Sequence, residues 1–194
     1  MSDLTLLGIC GSLRAASSNR KLMQEAAAAF GPARFVEGDL RLPLYDGDLE
    51  SDEGIPEGAT KLAGQIKDAD AVIIACPEYN KAPPGVLKNA LDWLSRGGAP
   101  WADKPVAIVS AAAGRAGGER TQFALRLMMV AFRPHLLQGP EVMLAAPSKG
   151  FDEAGKLKDE TAAKLLGELM GNLRDAAEAR APGHATGAWN RRAG

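Results

Sequence analysis

Apolar and polar positions follow two patterns that alternate along the chain. Nearly uninterrupted apolar runs, typical of parallel strands buried on both faces, occur at residues 4–10, 70–76 and 105–110. Between them apolar residues recur every three or four positions, which predicts helices at residues 21–30, 60–67, 86–95, 119–132 and 160–179. Weaker strands are predicted at residues 33–37 and, broken at Gly139-Pro140, at 136–137 and 141–144.

Strands that alternate with helices in this way predict an α/β fold, in which a parallel sheet carries helices on both faces. A sheet of five strands favours a flavodoxin-like three-layer sandwich with strand order 2-1-3-4-5. In that order a ligand binds beside the ends of the first and third strands. The two most polar strand ends, at residues 11–19 and 77–80, are therefore expected to meet at the binding site.

The length of 194 residues is that of one ordinary domain. We interpret residues 1–180 as that domain and residues 181–194, which have no core pattern, as a loosely ordered tail. Residues 38–57 show no periodicity and include the acidic run 46–53. We therefore predict a long loop there, serving as a lid or an interface.

Composition excludes several classes of function. A formal net charge of −1 argues against a nucleic-acid partner, because such domains usually carry a clear basic excess. No apolar run approaches the length of a membrane span, and the first residues lack a signal-peptide pattern, so a cytoplasmic protein is expected. Cys10 and Cys76 end buried strands and are expected to be core thiols. His135 and His184 offer no metal-ligand spacing.

The loop after the first strand, Gly11-Ser12-Leu13-Arg14-Ala15-Ala16-Ser17-Ser18-Asn19-Arg20, has the composition of a phosphate site. A strand-to-helix turn gathers backbone N–H groups at a helix N-terminus, and the hydroxyl, amide and guanidinium groups add further donors. The alternative is an ordinary turn, since serine and glycine are common turn residues. The loop matches neither the P-loop nor the dinucleotide fingerprint, so we favour a monophosphate.

Two further loops offer a place for a flat ring. Pro77-Glu78-Tyr79-Asn80 follows the third strand, where Tyr79 can form an aromatic platform or, alternatively, simply cap the strand. Glu78 there is most simply a solvated carboxylate. The small residues of 111–118 would allow backbone N–H groups to approach a heterocycle closely. Arg115 stands out among them, either as a surface cation or as a group that stabilises negative charge.

The sequence offers no Ser-His-Asp set and no obvious pair of catalytic carboxylates. A site with so few reactive groups is consistent with chemistry that is supplied by a cofactor.

These loops, together with residues 84–96 (PGVLKNALDWLSR) and with Gly117-Gly118, Arg120, Gln122, Leu125 and Arg126, resemble the NADPH-dependent FMN reductase family, and most closely its chromate/quinone reductase branch. The resemblance covers about residues 4–175. It implies a flavodoxin-like fold, bound FMN, NADPH or NADH as hydride donor, and a quinone, chromate, azo dye or flavin as the small-molecule acceptor. It also implies a homodimer or homotetramer, with the helix after the third strand in the contact.

By the same resemblance, one set of residues holds the FMN phosphate: Ser12, Arg14, Ser17, Ser18 and Asn19. A second set flanks the isoalloxazine ring: Pro77, Glu78, Tyr79 and Asn80 on one side, with Ser110, Gly114, Arg115 and Gly117 on the other. The chain departs from the family pattern at Ala111-Ala112-Ala113, where hydroxyl residues are expected, and at Arg115, where an apolar residue is expected.

Two other functions remain open on the sequence. A flavodoxin-type electron carrier would bind FMN without turning over NAD(P)H, and a binding or regulatory protein would keep the fold without redox activity. The 38–57 loop favours an enzyme over a carrier, because it could wall a substrate pocket. The sequence decides neither the physiological acceptor nor NADPH against NADH.

Overall fold

The computed structural model describes residues 4–180. Six strands are found there: β1 (Thr5–Cys10), β2 (Arg34–Gly38), β3 (Ala71–Ala75), β4 (Pro105–Ala112), β5 (His135–Leu136) and β6 (Val142–Ala145). The helices are α1 (Ser18–Phe30), α2 (Gly47–Glu53), α3 (Glu57–Asp68), α4 (Gly85–Leu94), α5 (Glu119–Met129) and α6 (Glu160–Arg180). Short 3₁₀ turns follow α5 at Val130–Phe132 and β6 at Pro147–Lys149.

The sheet confirms the predicted flavodoxin-like order, β2-β1-β3-β4-β5, and every pair of neighbouring strands is parallel. The fifth position is shared by two strands. β5 pairs with the start of β4 at Pro105 and Val106, whereas β6 pairs with its end from Val109 to Ala112. The chain is interrupted between them at Gly139-Pro140, where the proline has no N–H to donate to β4.

Apolar side chains of the strands alternate between two cores, one on each face of the sheet. Leu6 packs with α1 and α6, in a cluster that includes Phe30 and Leu173. Leu7 packs on the opposite face with α3, α4 and α5, in a cluster that includes Ile66. This double burial explains why the strands appear in the sequence as continuous apolar runs.

The prediction of an unstructured loop at residues 38–57 is wrong in its middle, where α2 forms. The Asp46 side chain accepts a hydrogen bond from Asp48 N at 2.9 Å and caps this short helix. No residue of α2 is buried, so apolar periodicity could not have revealed it. The helix is held instead by Glu50, which pairs with Arg96 beyond α4 at 2.9 Å.

The remaining sequence predictions concern membrane-spanning helices, the two cysteines and the C-terminal tail. Among residues 4–180 no helix is long and apolar enough to cross a membrane. Cys10 and Cys76 are buried and free, as expected. The predicted tail at residues 181–194 lies outside the described residues.

Candidate active site

Three neighbouring strands carry the predicted site loops at one edge of the sheet. β1, β3 and β4 are adjacent, and their carboxyl ends lead into residues 11–17, 76–84 and 113–118. Backbone hydrogen bonds join the strand ends, from Gly11 N to Ala75 O at 2.8 Å and from Cys76 N to Val109 O at 2.9 Å. The fold therefore brings together segments that lie about a hundred positions apart in the sequence.

The first loop presents an uncapped helix end. Ser17 occupies the N-cap of α1 in an extended conformation, but its hydroxyl accepts no hydrogen bond from the helix, and the first turn contains no acidic residue. Ser12 and Ser17 are buried, Ser18 is half-buried, and Arg14 is exposed. The free N–H groups of this turn and the positive end of the helix dipole are suited to an anion.

Two arginines hold the outside of the same loop. Arg20 Nη1 donates to Arg14 O at 3.1 Å, and Arg41 Nη2 donates to Leu13 O at 3.4 Å. Because the C=O and N–H groups of a trans peptide point in opposite directions, carbonyls fixed toward the arginines turn the next N–H groups the other way. Of those two N–H groups, that of Arg14 donates to Ser12 Oγ at 3.4 Å, and that of Ala15 has no acceptor among the described residues and is left for an anion.

Asn19 differs from the other predicted phosphate residues, because its side chain is used internally. Its Nδ2 donates to Ala111 O at 2.7 Å, and its Oδ1 accepts from Ala111 N at 3.0 Å. The amide is buried and ties α1 to β4. A contribution of Asn19 to phosphate binding would therefore come from its backbone N–H in the first turn of α1.

The turn after β3 is closed by a backbone bridge and carries an exposed aromatic ring. Tyr79 forms an antiparallel bridge with Ala82, and Asn80 adopts a left-handed conformation at φ 51°. The Tyr79 side chain is 47% exposed. Glu78 is paired with Arg120 of α5 at 3.8 Å rather than being simply solvated. Pro77 is buried beneath the turn.

The third loop packs Gly117 tightly but leaves Gly114 in open space and its cation without a partner among the described residues. At Gly117 φ is 60°, and a Cβ atom would lie 2.6 Å from the carbonyl carbon and oxygen of Met143. A Cβ at Gly114 would meet nothing within 4 Å. Arg115 is exposed, and none of the described residues forms an ion pair or hydrogen bond with its guanidinium.

Ser110 is fully buried behind this loop instead of lining it. Its hydroxyl donates to Gly117 O at 2.8 Å and accepts from Gln122 Nε2 at 2.9 Å. Gln122 also donates to Val142 O at 2.9 Å, which links α5 to β6. Any effect of Ser110 on a bound ring is therefore transmitted through the loop that it anchors.

Thr121 was missed by the analysis of the sequence and is also fully buried. Its hydroxyl donates to Pro77 O at 3.1 Å and lies 3.2 Å from Cys76 Sγ. Burial raises the pKa of the Cys76 thiol to about 12, so this thiol stays protonated at neutral pH. The available signal was two polar residues, Thr121 and Gln122, placed where α5 meets the sheet.

The segment before α2 is strapped onto α4, and we call residues 39–46 the strap. Pro43 O accepts hydrogen bonds from Asn89 Nδ2 at 2.9 Å and from Trp93 Nε1 at 2.8 Å. Tyr45 N donates to Asn89 Oδ1 at 2.8 Å, and the Tyr45 ring meets Trp93 edge-on at 5.0 Å. Through Arg41 the strap also reaches the first loop. The sequence signal was Asn89 and Trp93, four positions apart on a buried helix face.

The donors fit a phosphorylated flat ligand such as FMN. The uncapped end of α1, its serines and Arg14 suit the phosphate, and the exposed Tyr79 ring offers an apolar face next to it in the sheet order. No group of three or more possible metal ligands is found among the described residues. A helix end suited to a phosphate beside an aromatic ring, at the switch point of this sheet, is typical of flavodoxin-like proteins of the flavin-binding class.

Comparisons with known proteins agree with this class. Residues 4–148 match the family described as NADPH-dependent FMN reductase. An NAD(P)H-dependent FMN reductase of Pseudomonas aeruginosa is 41% identical over 175 residues, covering 89% of this chain and 94% of that protein. A quinone reductase of Escherichia coli is 37% identical over 172 residues, covering 86% and 92%. The chain belongs to the NADPH-dependent FMN reductase family.

A solved structure gives the same result. The flavoenzyme NAD(P)H:(acceptor) oxidoreductase FerB from Paracoccus denitrificans superposes with a TM-score of 0.81 at 31% identity. The match covers 90% of this chain and 97% of that one. The family match over residues 4–148 includes all three site loops and the strap.

Proposed function

We propose that the protein is an FMN-dependent oxidoreductase that takes hydride from NADPH or NADH and passes electrons to a quinone. The observation that carries this proposal is the uncapped α1 N-terminus next to the exposed Tyr79 ring. Bound FMN supplies the hydride acceptor and the electron donor of such a reaction. Support for a quinone comes from the relatives named quinone reductase. Chromate, azo compounds and free flavin are further candidate acceptors.

The residues of the chain would bind and orient FMN and would not themselves react. Ser12, Arg14, Ser17, Ser18 and the Asn19 backbone would hold the phosphate. Tyr79 and its turn would support one side of the ring, and the backbone from Gly114 to Gly117 the other. Arg115, which has no ion-pair partner among the described residues, would favour negative charge near the ring.

The test is to load the purified protein with FMN, remove oxygen, and add NADPH or NADH while following flavin absorbance. We expect rapid bleaching by one or both donors, and recovery of the absorbance when a quinone is added. Flavin that binds but stays oxidised would support an electron carrier instead. If the protein takes up no FMN, the proposed cofactor site is wrong.

We also propose a homo-oligomer in which α5 contributes to the contact. Phe123, Leu127 and Val130 form an apolar stripe along α5 and its 3₁₀ extension, and Leu127 is 75% exposed. On α4 the large apolar side chains are instead buried. Light scattering on wild-type protein and on Leu127→Glu tests this: the wild type should be a dimer or tetramer, and the variant should dissociate. Equal masses would contradict the proposed contact.

A cytoplasmic location is the remaining proposal. Its support is that Cys10 and Cys76 are both free thiols in the described structure, as is usual where the compartment keeps thiols reduced. Fractionation of cells that produce the full chain, with activity followed in each fraction, would test it.

A further inference from the structure

We propose that Thr121 is a positioning residue that fixes the orientation of the Pro77–Glu78 peptide for the bound flavin. The inference rests on the proposed function, because it assumes that the turn at residues 77–80 lies against FMN. Thr121 itself is fully buried and cannot touch a ligand. It acts through the Pro77 carbonyl, which accepts a hydrogen bond from its hydroxyl at 3.1 Å.

A neighbouring thiol lies against both the Thr121 hydroxyl and the Pro77 carbonyl. Cys76 Sγ lies 3.2 Å from Thr121 Oγ1, and the thiol keeps its proton at neutral pH because its pKa is raised to about 12 by burial. The S–H group can donate either to the hydroxyl oxygen or, at 3.5 Å, to Pro77 O itself, and in both cases it does not need the hydroxyl proton. The single hydroxyl proton then remains available for Pro77 O.

Fixing the Pro77 carbonyl also fixes the next N–H group. In a trans peptide the two groups point in opposite directions, so the Glu78 N–H is turned away from Thr121. None of the described residues 4–180 accepts a hydrogen bond from this N–H. The peptide thus presents one oriented, unused donor on the side of the turn away from α5. A fixed donor beside a flavin would stabilise the negative charge that the ring gains on reduction.

Thr121 also connects the two proposed walls of the ring site. It lies in the first turn of α5, directly after the loop that contains Gly114 and Gly117. Its neighbour Arg120 reaches the same turn through Glu78, at 3.8 Å and with an exposed side chain. An exposed ion pair of that length contributes little. The buried hydroxyl is therefore the stronger link between α5 and the 77–80 turn.

The test compares Thr121→Val, which keeps the shape and loses the hydroxyl, with Thr121→Ser, which keeps the hydroxyl. Three quantities are measured: the Kd for FMN by titration of apoprotein, the visible absorbance spectrum, and the midpoint potential of the bound flavin. We expect Thr121→Val to raise the Kd roughly tenfold, to shift the spectrum and to lower the potential. Thr121→Ser should remain within about twofold of wild-type affinity, because the hydroxyl is retained.

The control is Thr60→Val, since Thr60 is exposed on α3 and its side chain makes no hydrogen bond with the described residues. All three quantities should match wild type in this variant. If Thr121→Val does not fold, Thr121→Cys replaces it, and its weaker S–H donor should give a smaller shift in the same direction.

Three results would overturn the positioning role: wild-type affinity, spectrum and potential in folded Thr121→Val; equal effects of valine and serine; or wild-type values in Thr121→Cys. If instead wild-type protein binds no FMN, the proposed function fails. The two failures are thus distinguishable.

Discussion

The side-chain amide of Asn19 is hydrogen-bonded through both its oxygen and its nitrogen to the backbone of a single residue, Ala111. This pairing joins the uncapped first turn of α1 to the end of β4. The third site loop begins at that end of β4. The pairing makes Asn19 a structural connector between two parts of the site.

Replacing Asn19 by alanine should therefore reduce stability as well as cofactor binding. Two buried backbone groups lose their partners, and we expect the free energy of unfolding to fall by about 2 kcal/mol or more. Urea denaturation of apoprotein measures this without any contribution from FMN. Asn172→Ala, at an exposed position of α6, is the matched control and should change stability by less than about 0.5 kcal/mol. Equal stability of the two variants would show that the connection to Ala111 contributes nothing.

Two tryptophans that are buried in the described part of the chain allow the strap to be tested by a matched pair. Trp93→Phe loses the hydrogen bond to Pro43 O, whereas Trp101→Phe loses none, because Trp101 Nε1 has no partner among the described residues. Both variants lose some packing, but Trp93→Phe should also accelerate proteolysis within residues 39–54. We expect about 1 kcal/mol of additional destabilisation from the lost hydrogen bond. Identical proteolysis of the two variants would argue against strapping by Trp93.

In the loop after β4, alanine should be tolerated at Gly114 but should destabilise the protein at Gly117. Gly117→Ala places a Cβ atom 2.6 Å from the Met143 carbonyl and at a positive φ, so the loop or β6 must move. We expect a loss of at least about 2 kcal/mol in unfolding free energy and weaker FMN binding. Gly114→Ala meets nothing within 4 Å and should keep wild-type stability. Thermal unfolding of both apoproteins provides the comparison, which fails if Gly117→Ala is as stable as Gly114→Ala.

Replacing Arg115 should change the electrostatic potential at the bound flavin and leave the free energy of unfolding unchanged. Its guanidinium is exposed and contacts none of the described side chains through an ion pair, so Arg115→Ala should unfold like wild type. If Arg115 stabilises negative charge, the midpoint potential of bound FMN should fall, or kcat/KM for an anionic acceptor such as chromate should drop up to about fivefold. Arg133→Ala, which removes another exposed cation, is the control. An unchanged potential together with unchanged acceptor kinetics would leave Arg115 as a surface residue.

Cys76 makes the free energy of unfolding depend on pH in the alkaline range. Burial raises the pKa of its thiol from 9.0 to about 12, so the folded protein holds a proton that the unfolded chain releases above about pH 9. The contribution of this thiol is fully present below pH 9 and is lost as the pH rises toward 12. Urea titrations between pH 8 and 11 should show a steeper decline for wild type than for Cys76→Ala. Parallel curves would mean that the thiol is not held protonated by the fold.

Much of the fold could be predicted because burial on both faces of the sheet leaves continuous apolar runs, as in β1 and β3. Helix α2 could not, because it has no buried apolar face and depends on Asp46 and on the pairing of Glu50 with Arg96. In the site, the sequence located the three loops correctly at one sheet edge. It could not distinguish side chains that face a ligand from those that face the protein. Ser110 and Asn19 belong to the second group.

The sequence by itself determined the order of the strands, that of every helix except α2, and the family, because periodicity and contiguous motifs are local properties of the chain. Only the tertiary structure decided which polar side chains already form hydrogen bonds within the protein and which remain free to bind a ligand. Whether the Asn19 amide, the Ser110 hydroxyl and the Thr121 hydroxyl are free depends on residues 92, 7 and 44 positions away. A buried polar group must find a partner wherever the fold places one. The loop after β1 could therefore be predicted as an anion site from its composition, whereas its connection to β4 became visible only in three dimensions.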